Sequence, residues 1–263
     1  MKITFLGTGT SQGIPIIGST HPVCLSDDPR DKRLRVSVLL EWDEYNYVID
    51  CGPDFRKQML NTLSRKRSKE GQAAILHGIL FTHEHADHVA GLDDIRPFVF
   101  RQGDMPLYGH RRVLETLSSR FDYIFRTEDR YPGAPSVKSY EVVNGEPIRL
   151  GNLDVVPIEV YHGDLQVFGY RFDKIAYLTD VKTIANKEIE KLKDLDILVL
   201  NCLREEEHFT HLNLTEALAL IKKINPKKAY LTHISHMLGF HAEVENKLPN
   251  DVFLAYDGLT LSL

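Results

Sequence analysis

Residues 82–88 read Thr-His-Glu-His-Ala-Asp-His, and this run constrains the fold more than any other feature of the chain. It follows Gly78-Ile79-Leu80-Phe81, an apolar stretch read as a buried strand, and precedes Val89-Ala90-Gly91, small residues that can open a helix. Alternate residues of a strand point the same way, so His83 and His85 share a direction at a strand end. Asp87 and His88 fall on the turn that follows. Imidazole and carboxylate groups this closely spaced suit one or two divalent ions of the zinc or manganese type. The bland alternative is a polar loop that holds histidines by chance. It is outweighed because the same residue types recur at other strand ends.

Three such recurrences stand out. His162 closes Val155–Tyr161, Asp180 closes Ala176–Thr179 and His233 closes Ala229–Thr232, each a polar residue directly after an apolar or β-branched run. Taken singly, each reads equally well as a cap or a loop residue. Together with His83, His85, Asp87 and His88 they supply enough nitrogen and oxygen ligands for two ions with one carboxylate bridging. Asp50, at the end of Tyr47-Val48-Ile49, is a further candidate. It is read as the carboxylate that receives the second ring N–H of a ligating histidine, a common arrangement at metal sites.

Strand-like segments are Ile3–Leu6, Val36–Trp42, Tyr45–Asp50, Gly78–Phe81, Pro106–Tyr108, Leu153–Val160, Val167–Phe172, Ala176–Thr179, Ile197–Asn201, Ala229–Thr232 and Val252–Ala255. Helix-like segments are Asp54–Ser64, Arg111–Phe121, Asn186–Leu195 and Leu214–Ile224, the last stopped by Asn225-Pro226. This α/β alternation has no repeat and no Pro/Ser-rich linker, and 263 residues with 43% hydrophobic content can bury one full core, so residues 1–263 read as a single domain. Residues 121–140 are aromatic without a clean period, and read as a lid, an arm of a homodimer or an irregular surface loop. Gly7-Thr8-Gly9 is read as a tight turn. A dinucleotide fingerprint would open a helix there, and this chain runs on to Pro15 without a helical period.

A net charge of −5 and a pI near 6.2 argue against a surface that coats nucleic acid. The one basic cluster, Arg65-Lys66-Arg67 with Lys69, reads as a solvated turn. The N-terminus begins directly with a strand, without a signal peptide, and no apolar run is long enough to span a bilayer. Three cysteines, Cys24, Cys51 and Cys202, are too few for a disulfide framework. The expectation is a cytoplasmic protein with no membrane partner.

The motif set Asp50, H-x-H-x-D-H, His162, Asp180 and His233 resembles that of the metallo-β-lactamase-fold hydrolases. The resemblance implies a four-layer αβ/βα sandwich with the metals at the sheet edge. It also implies a ligand division: His83, His85 and His162 on one ion, Asp87, His88 and His233 on the other, and Asp180 between them. Three longer blocks narrow the resemblance: Phe5–Pro15, Gly91–Phe98, and His208–Ala217 with Leu231–His236. They are similar to the branch that opens a phosphoribosyl 1,2-cyclic phosphate. The activity so implied is hydrolysis of a small, cyclic phosphodiester. Two ions roughly 3.5–4 Å apart share a water, lower its pKa and aim it in line at phosphorus as a bridging hydroxide. His211 aligns with the branch's proton donor to the leaving group, and His208 and the ligand Asp87 stand beside it among the catalytic candidates. Arg56 and Arg96 are candidates for gripping phosphate, or for pairing with surface carboxylates.

The chain also departs from that branch, which often carries a Cys-x-Cys-x-x-Cys loop closed by a histidine. Here Ser19 and His21 replace the first two cysteines, leaving His21, Cys24 and His236 as three candidate ligands for a third, structural zinc. Two other readings compete with the phosphodiesterase. One is a tRNA 3′-end processing nuclease, which should carry a basic substrate-grasping insert; residues 97–140 contain no basic block. The other is a non-hydrolytic precursor-binding role in cofactor biosynthesis, which should erode the H-x-H-x-D-H set; here every position is filled.

Overall fold

The C-terminal ends of parallel strands organise both halves of the molecule. The structure, a computed structural model, describes residues 1–63 and 73–263, so the basic cluster Arg65–Lys69 lies outside the described residues. The chain separates into two compact units, neither contiguous in sequence. The first comprises residues 1–7, 36–142 and 258–263, and the second residues 8–35 and 143–257.

In the first unit, β1 (Lys2–Gly7), β2 (Ser37–Trp42), β3 (Tyr45–Ile49), β4 (Gly78–Leu80), β5 (Met105–Gly109) and β6 (Val137–Glu141) join β15 (Thr260–Ser262) in one sheet. Its order is β15-β1-β2-β3-β4-β5-β6, antiparallel as far as β3 and parallel from β3 to β6. The hairpin between β2 and β3 turns through Asp43, whose φ of 49° lies in the left-handed region that short hairpin turns need. Leu39, Val48, Ile79 and Leu107, spaced to share one face, pack with Phe55, Met59, Phe98, Val113 and Leu117 from the helices. Removing that apolar face from water is the main stabilising term for this unit.

The second unit holds β7 (Ile148–Leu150), β8 (Leu153–His162), β9 (Leu165–Phe172), β10 (Ile175–Leu178), β11 (Thr183–Ile184), β12 (Ile197–Asn201), β13 (Lys228–Thr232) and β14 (Val252–Leu254). They run in the order β11-β8-β9-β10-β12-β13-β14, with β7 paired to β8. Strands β10, β12, β13 and β14 are parallel, so their C-terminal ends lie side by side. The helix Leu214–Ile224 covers this sheet through Ala217, Ile221 and Ile224. It opens on a capping box, with Asn213 Oδ1 accepting from Glu216 N and Glu216 Oε2 accepting from Asn213 N. It closes on Asn225 at φ 56°, ahead of Pro226.

Of the readings of residues 121–140, the irregular surface loop holds for 126–136, which carry no helix or strand and are mostly exposed. A short helix, Asp122–Phe125, leads to β6 at the sheet edge. Tyr123 Oη donates to Asp93 Oδ1, and Arg96 binds Asp93, Tyr131 and the Gly133 carbonyl. Arg96 is thus committed to pairing rather than to gripping phosphate.

Candidate metal centre

Three candidate residues share an unusual backbone. Asp50, Asp180 and His233 have φ of 65°, 58° and 55°, each one residue or two past the end of a strand, at β3, β10 and β13. Left-handed backbone at a non-glycine residue is sparsely populated, and such residues cluster at functional sites. Here it ends the extended run and swings the side chain off the strand direction.

In the first unit a buried carboxylate sets the tautomers. Asp50 and His88 are fully buried, as is His83. Asp50 Oδ1 accepts from Thr82 N at 2.9 Å, and Oδ2 accepts from Thr82 Oγ1 at 2.9 Å and His88 Nδ1 at 2.7 Å. His88 therefore carries its proton on Nδ1 and turns a lone pair outward on Nε2. The Thr82 hydroxyl has one proton, already given to Asp50, so at 3.1 Å it accepts from His83 Nδ1–H. His83 likewise presents Nε2 as a lone pair. Burial pushes the Asp50 carboxyl above its ordinary range, and His88 and Thr82 pull it back. The rings of His83 and His88 lie 4.1 Å apart between centroids, and those of His83 and His85 4.5 Å. His85, unlike these two, is exposed.

Asp87 Oδ2 stands 3.3 Å from His88 Nε2. A tetrahedral ion with bonds of 2.0–2.1 Å holds neighbouring ligand atoms about 3.3 Å apart. Two lone-pair atoms at that separation call for a cation between them, so the donor set fits a divalent metal.

The second unit repeats the pattern. His162 Nδ1 donates to the Thr210 carbonyl at 2.8 Å, which again aims Nε2 outward. Asp180 Oδ2 accepts from Thr179 Oγ1 at 2.6 Å, while Oδ1 faces His211 Nε2 at 3.1 Å and His233 Nε2 at 3.3 Å. Asn201, at the end of β12, fixes the next residue by binding both N and O of Val181. His211 was expected outside the ligand set, yet its ligand atom lies within 4.8 Å of those of His162 and Asp180. Burial pushes its imidazole down to about 4, against the pull of Asp180. His208 sits beside it, Nδ1 to Nδ1 at 3.1 Å, and burial lowers its pKa too.

The glycine turn clips the backbone next to His233. Gly9 N donates to Leu34 O, Thr10 N to Ile234 O, and Ile234 N to Thr8 O. A Cβ on Gly9 would lie 3.0 Å from both Leu34 O and Arg33 Cβ, so glycine is needed for this close approach. Residue type and spacing do not announce what lies beneath the turn. Arg33, buried, binds Thr8 Oγ1, the Ala255 carbonyl and His241 Nδ1, and Asp257 accepts from Thr8 Oγ1 and Leu34 N.

The third candidate site is only partly gathered. His21 and His236 meet edge to face with centroids 4.7 Å apart, and His21 Nδ1 accepts from Val23 N as a helix cap. Cys24 instead packs with Ile14 and Val23 in an apolar cluster. Among the described residues, the three-ligand groupings within 4.8 Å do not join Cys24 to the two histidines. Two imidazoles fall short of the three or four ligands of a zinc site.

Residues 45–234 match the family model of the beta-lactamase superfamily domain. With that match and the relatives below, the chain belongs to the beta-lactamase superfamily, which places it among metal-dependent hydrolases, and within it to the PhnP family. A solved structure described as a new diphosphatase from the PhnP family is 39% identical with a TM-score of 0.89, over 100% of this chain and 97% of its own. An octanoyltransferase of Porphyromonas gingivalis is 39% identical over 98% of this chain and 51% of its own length. A ribonuclease Z of Methanococcus maripaludis is 24% identical over 75% of this chain and 54% of its own. The chain thus spans about half the length of the curated relatives it matches. The fold is that of the metallo-β-lactamases, which implies divalent metal ions. Among the described residues no helix is long and apolar enough to cross a membrane.

Proposed function

We propose that the chain is a binuclear hydrolase of small phosphodiesters, cyclic ones foremost, and that its two units act as one domain. His83, His85 and His162 would hold one divalent ion, Asp87, His88 and His233 the other, with Asp180 shared. Bound there, the ions activate water and neutralise charge on the phosphoryl oxygens. The observation that carries this reading is the tautomer control of His83, His88 and His162, each with Nδ1 donating to a fixed oxygen. The chain does the rest of the work. Asp50 and the Thr210 carbonyl hold the rings in direction, and Thr179 holds Asp180. His211 would give the leaving oxygen its proton, with His208 and Thr210 orienting the ring. His21 and His236 join the loop of residues 18–30 to the segment after His233; we assign them that role in place of a third zinc.

Acyl transfer, the name carried by one relative, finds no nucleophile among the cysteines. All three are buried, and burial pushes the Cys202 thiol up to about 12 and that of Cys51 well up too. The likeness to ribonuclease Z supports a second reading, phosphodiester cleavage in RNA by the same residues. The test is a panel of bis-p-nitrophenyl phosphate, five-membered cyclic phosphates and a precursor tRNA, run on zinc- and manganese-loaded protein with the ions counted. Turnover of the cyclic phosphates with two ions per chain is expected. One ion at saturation refutes the binuclear reading, preference for the tRNA favours the nuclease, and no turnover at all favours precursor binding.

A further inference from the structure

We propose that Arg112 and Arg120 clamp Glu84 and thereby position the ligand segment His83-Glu84-His85 for metal; the proposal rests on the metal reading above. Arg112 meets the Glu84 carboxylate with both arms, Nε to Oε1 at 2.8 Å and Nη2 to Oε2 at 3.1 Å. Arg120 Nη1 donates to the Glu84 backbone carbonyl at 2.7 Å. One residue between two ligand histidines is thus held by side chain and main chain at once, from both ends of the helix Arg111–Arg120.

That helix is a firm support. Val113 and Leu117 are fully buried, and His110 Nδ1 caps its start by accepting from Arg112 N. Its charge distribution points to a positioning role for Arg112. The first turn carries two arginines and no acidic residue, although the positive end of a helix dipole disfavours cations. A local rule broken in this way marks a residue kept for another task. The planar, two-armed contact suits arginine and not lysine.

The need for a clamp follows from how differently the two histidines are held. His83 is buried and tied to Thr82. His85 is exposed and stands one residue past Glu84, at the start of the four-residue helix Ala86–Val89, so the backbone that Arg120 holds leads directly into it. The clamp also engages both Glu84 oxygens, which keeps a spare carboxylate from competing for the ion.

Zinc affinity of the full-length chain, read by competition with a chromogenic chelator beside the Tm of metal-free protein, tests the clamp. Arg112→Ala and Glu84→Ala should each weaken zinc binding roughly 10–100-fold with little change in metal-free Tm, as loss of a ligand's supporting contact does. The double variant should be no worse than either single one, and Arg112→Lys should recover only part of the loss. Arg111→Ala, which breaks an exposed pair with Glu115, should bind zinc as the wild type does. If Arg112→Ala fails to fold, Glu84→Gln gives the same readout. Wild-type affinity in the Glu84 variants, or losses that add in the double variant, would overturn the clamp. A wild-type chain that takes up no zinc would overturn the metal reading, and the clamp with it.

Discussion

Asp50→Asn should separate metal binding from folding. The carboxylate accepts three hydrogen bonds in full burial, from Thr82 N, Thr82 Oγ1 and His88 Nδ1. Asparagine keeps the size and tolerates the left-handed φ of 65°, but one acceptor oxygen becomes an NH₂ donor. If the amide oxygen stays on Thr82 N, the new NH₂ faces His88 Nδ1–H. Two donors then oppose each other, and a buried unsatisfied group costs about 1–3 kcal/mol. His88 escapes by moving its proton to Nε2, which removes the lone pair meant for the ion. Either way the loss falls on metal binding, by about 10–100-fold, or roughly 1.4–2.7 kcal/mol. The metal-free fold should suffer less. Burial already raises the Asp50 pKa, so the variant removes a charge that is expensive to desolvate. The assay is isothermal titration with zinc and manganese, alongside thermal melts with and without metal. Wild-type affinity, or a collapse of the metal-free melt equal to the loss in the loaded one, would refute the role given to Asp50.

Three further outcomes follow from the same geometry. His211→Ala should lower turnover by roughly 10²–10⁴-fold on esters with poor leaving groups and by less on p-nitrophenyl esters; equal losses on both would refute proton donation. Gly91→Ala places a Cβ 2.1 Å from the Gly52 carbonyl oxygen, a backbone atom that cannot step aside. It should destabilise by about 1–3 kcal/mol, seen as a lower denaturant midpoint. His241, pushed down to about 4 by burial and by Arg33 and Arg30, protonates sooner in the unfolded chain. Its contribution to stability is complete above pH 6.5 and is lost as the pH falls toward 4. Asp257, raised to about 6 by burial, works in the opposite sense, favouring the fold at low pH and losing that effect as the pH rises through 6. His241→Gln should therefore flatten the acid side of a plot of denaturant midpoint against pH, and an unchanged slope would remove His241 from that account.

The parts of the fold legible in the sequence are those fixed by local chemistry. The helix Leu214–Ile224 has the expected bounds because Asn213, Glu216 and Asn225 cap it in ways residue type alone declares. The candidate ligands stood out at strand ends because an apolar run ending in His or Asp needs no tertiary information to be noticed. Edge strands were not. β6, largely exposed, lacks the apolar alternation that marks a strand, and β15 is short and mostly exposed. The helix expected over Asn186–Leu195 stops at Glu190, with Asp194 left-handed beyond it. At the site, the hold of Thr210 on His162 and of Arg112 on Glu84 joins residues far apart in sequence, where no spacing rule reaches. Cys24 shows the reverse case: its residue type suggests a ligand, and its neighbours Ile14 and Val23 are those of a small apolar side chain.

The pairing of β1 also determines when the first unit can finish folding. Ile3 lies opposite Leu40 on one side and Leu261 on the other. On the ribosome the first partner emerges early and the second far later in the chain. Until then β1, with Ile3 and Phe5 buried in the finished fold, presents an unpaired apolar edge, the kind of surface on which strands from other chains assemble. Residues 143–257 of the second unit are synthesised in that interval. Nonlocal pairing of this order slows folding, so yield of soluble protein should depend on how well the early edge is shielded while β15 is awaited.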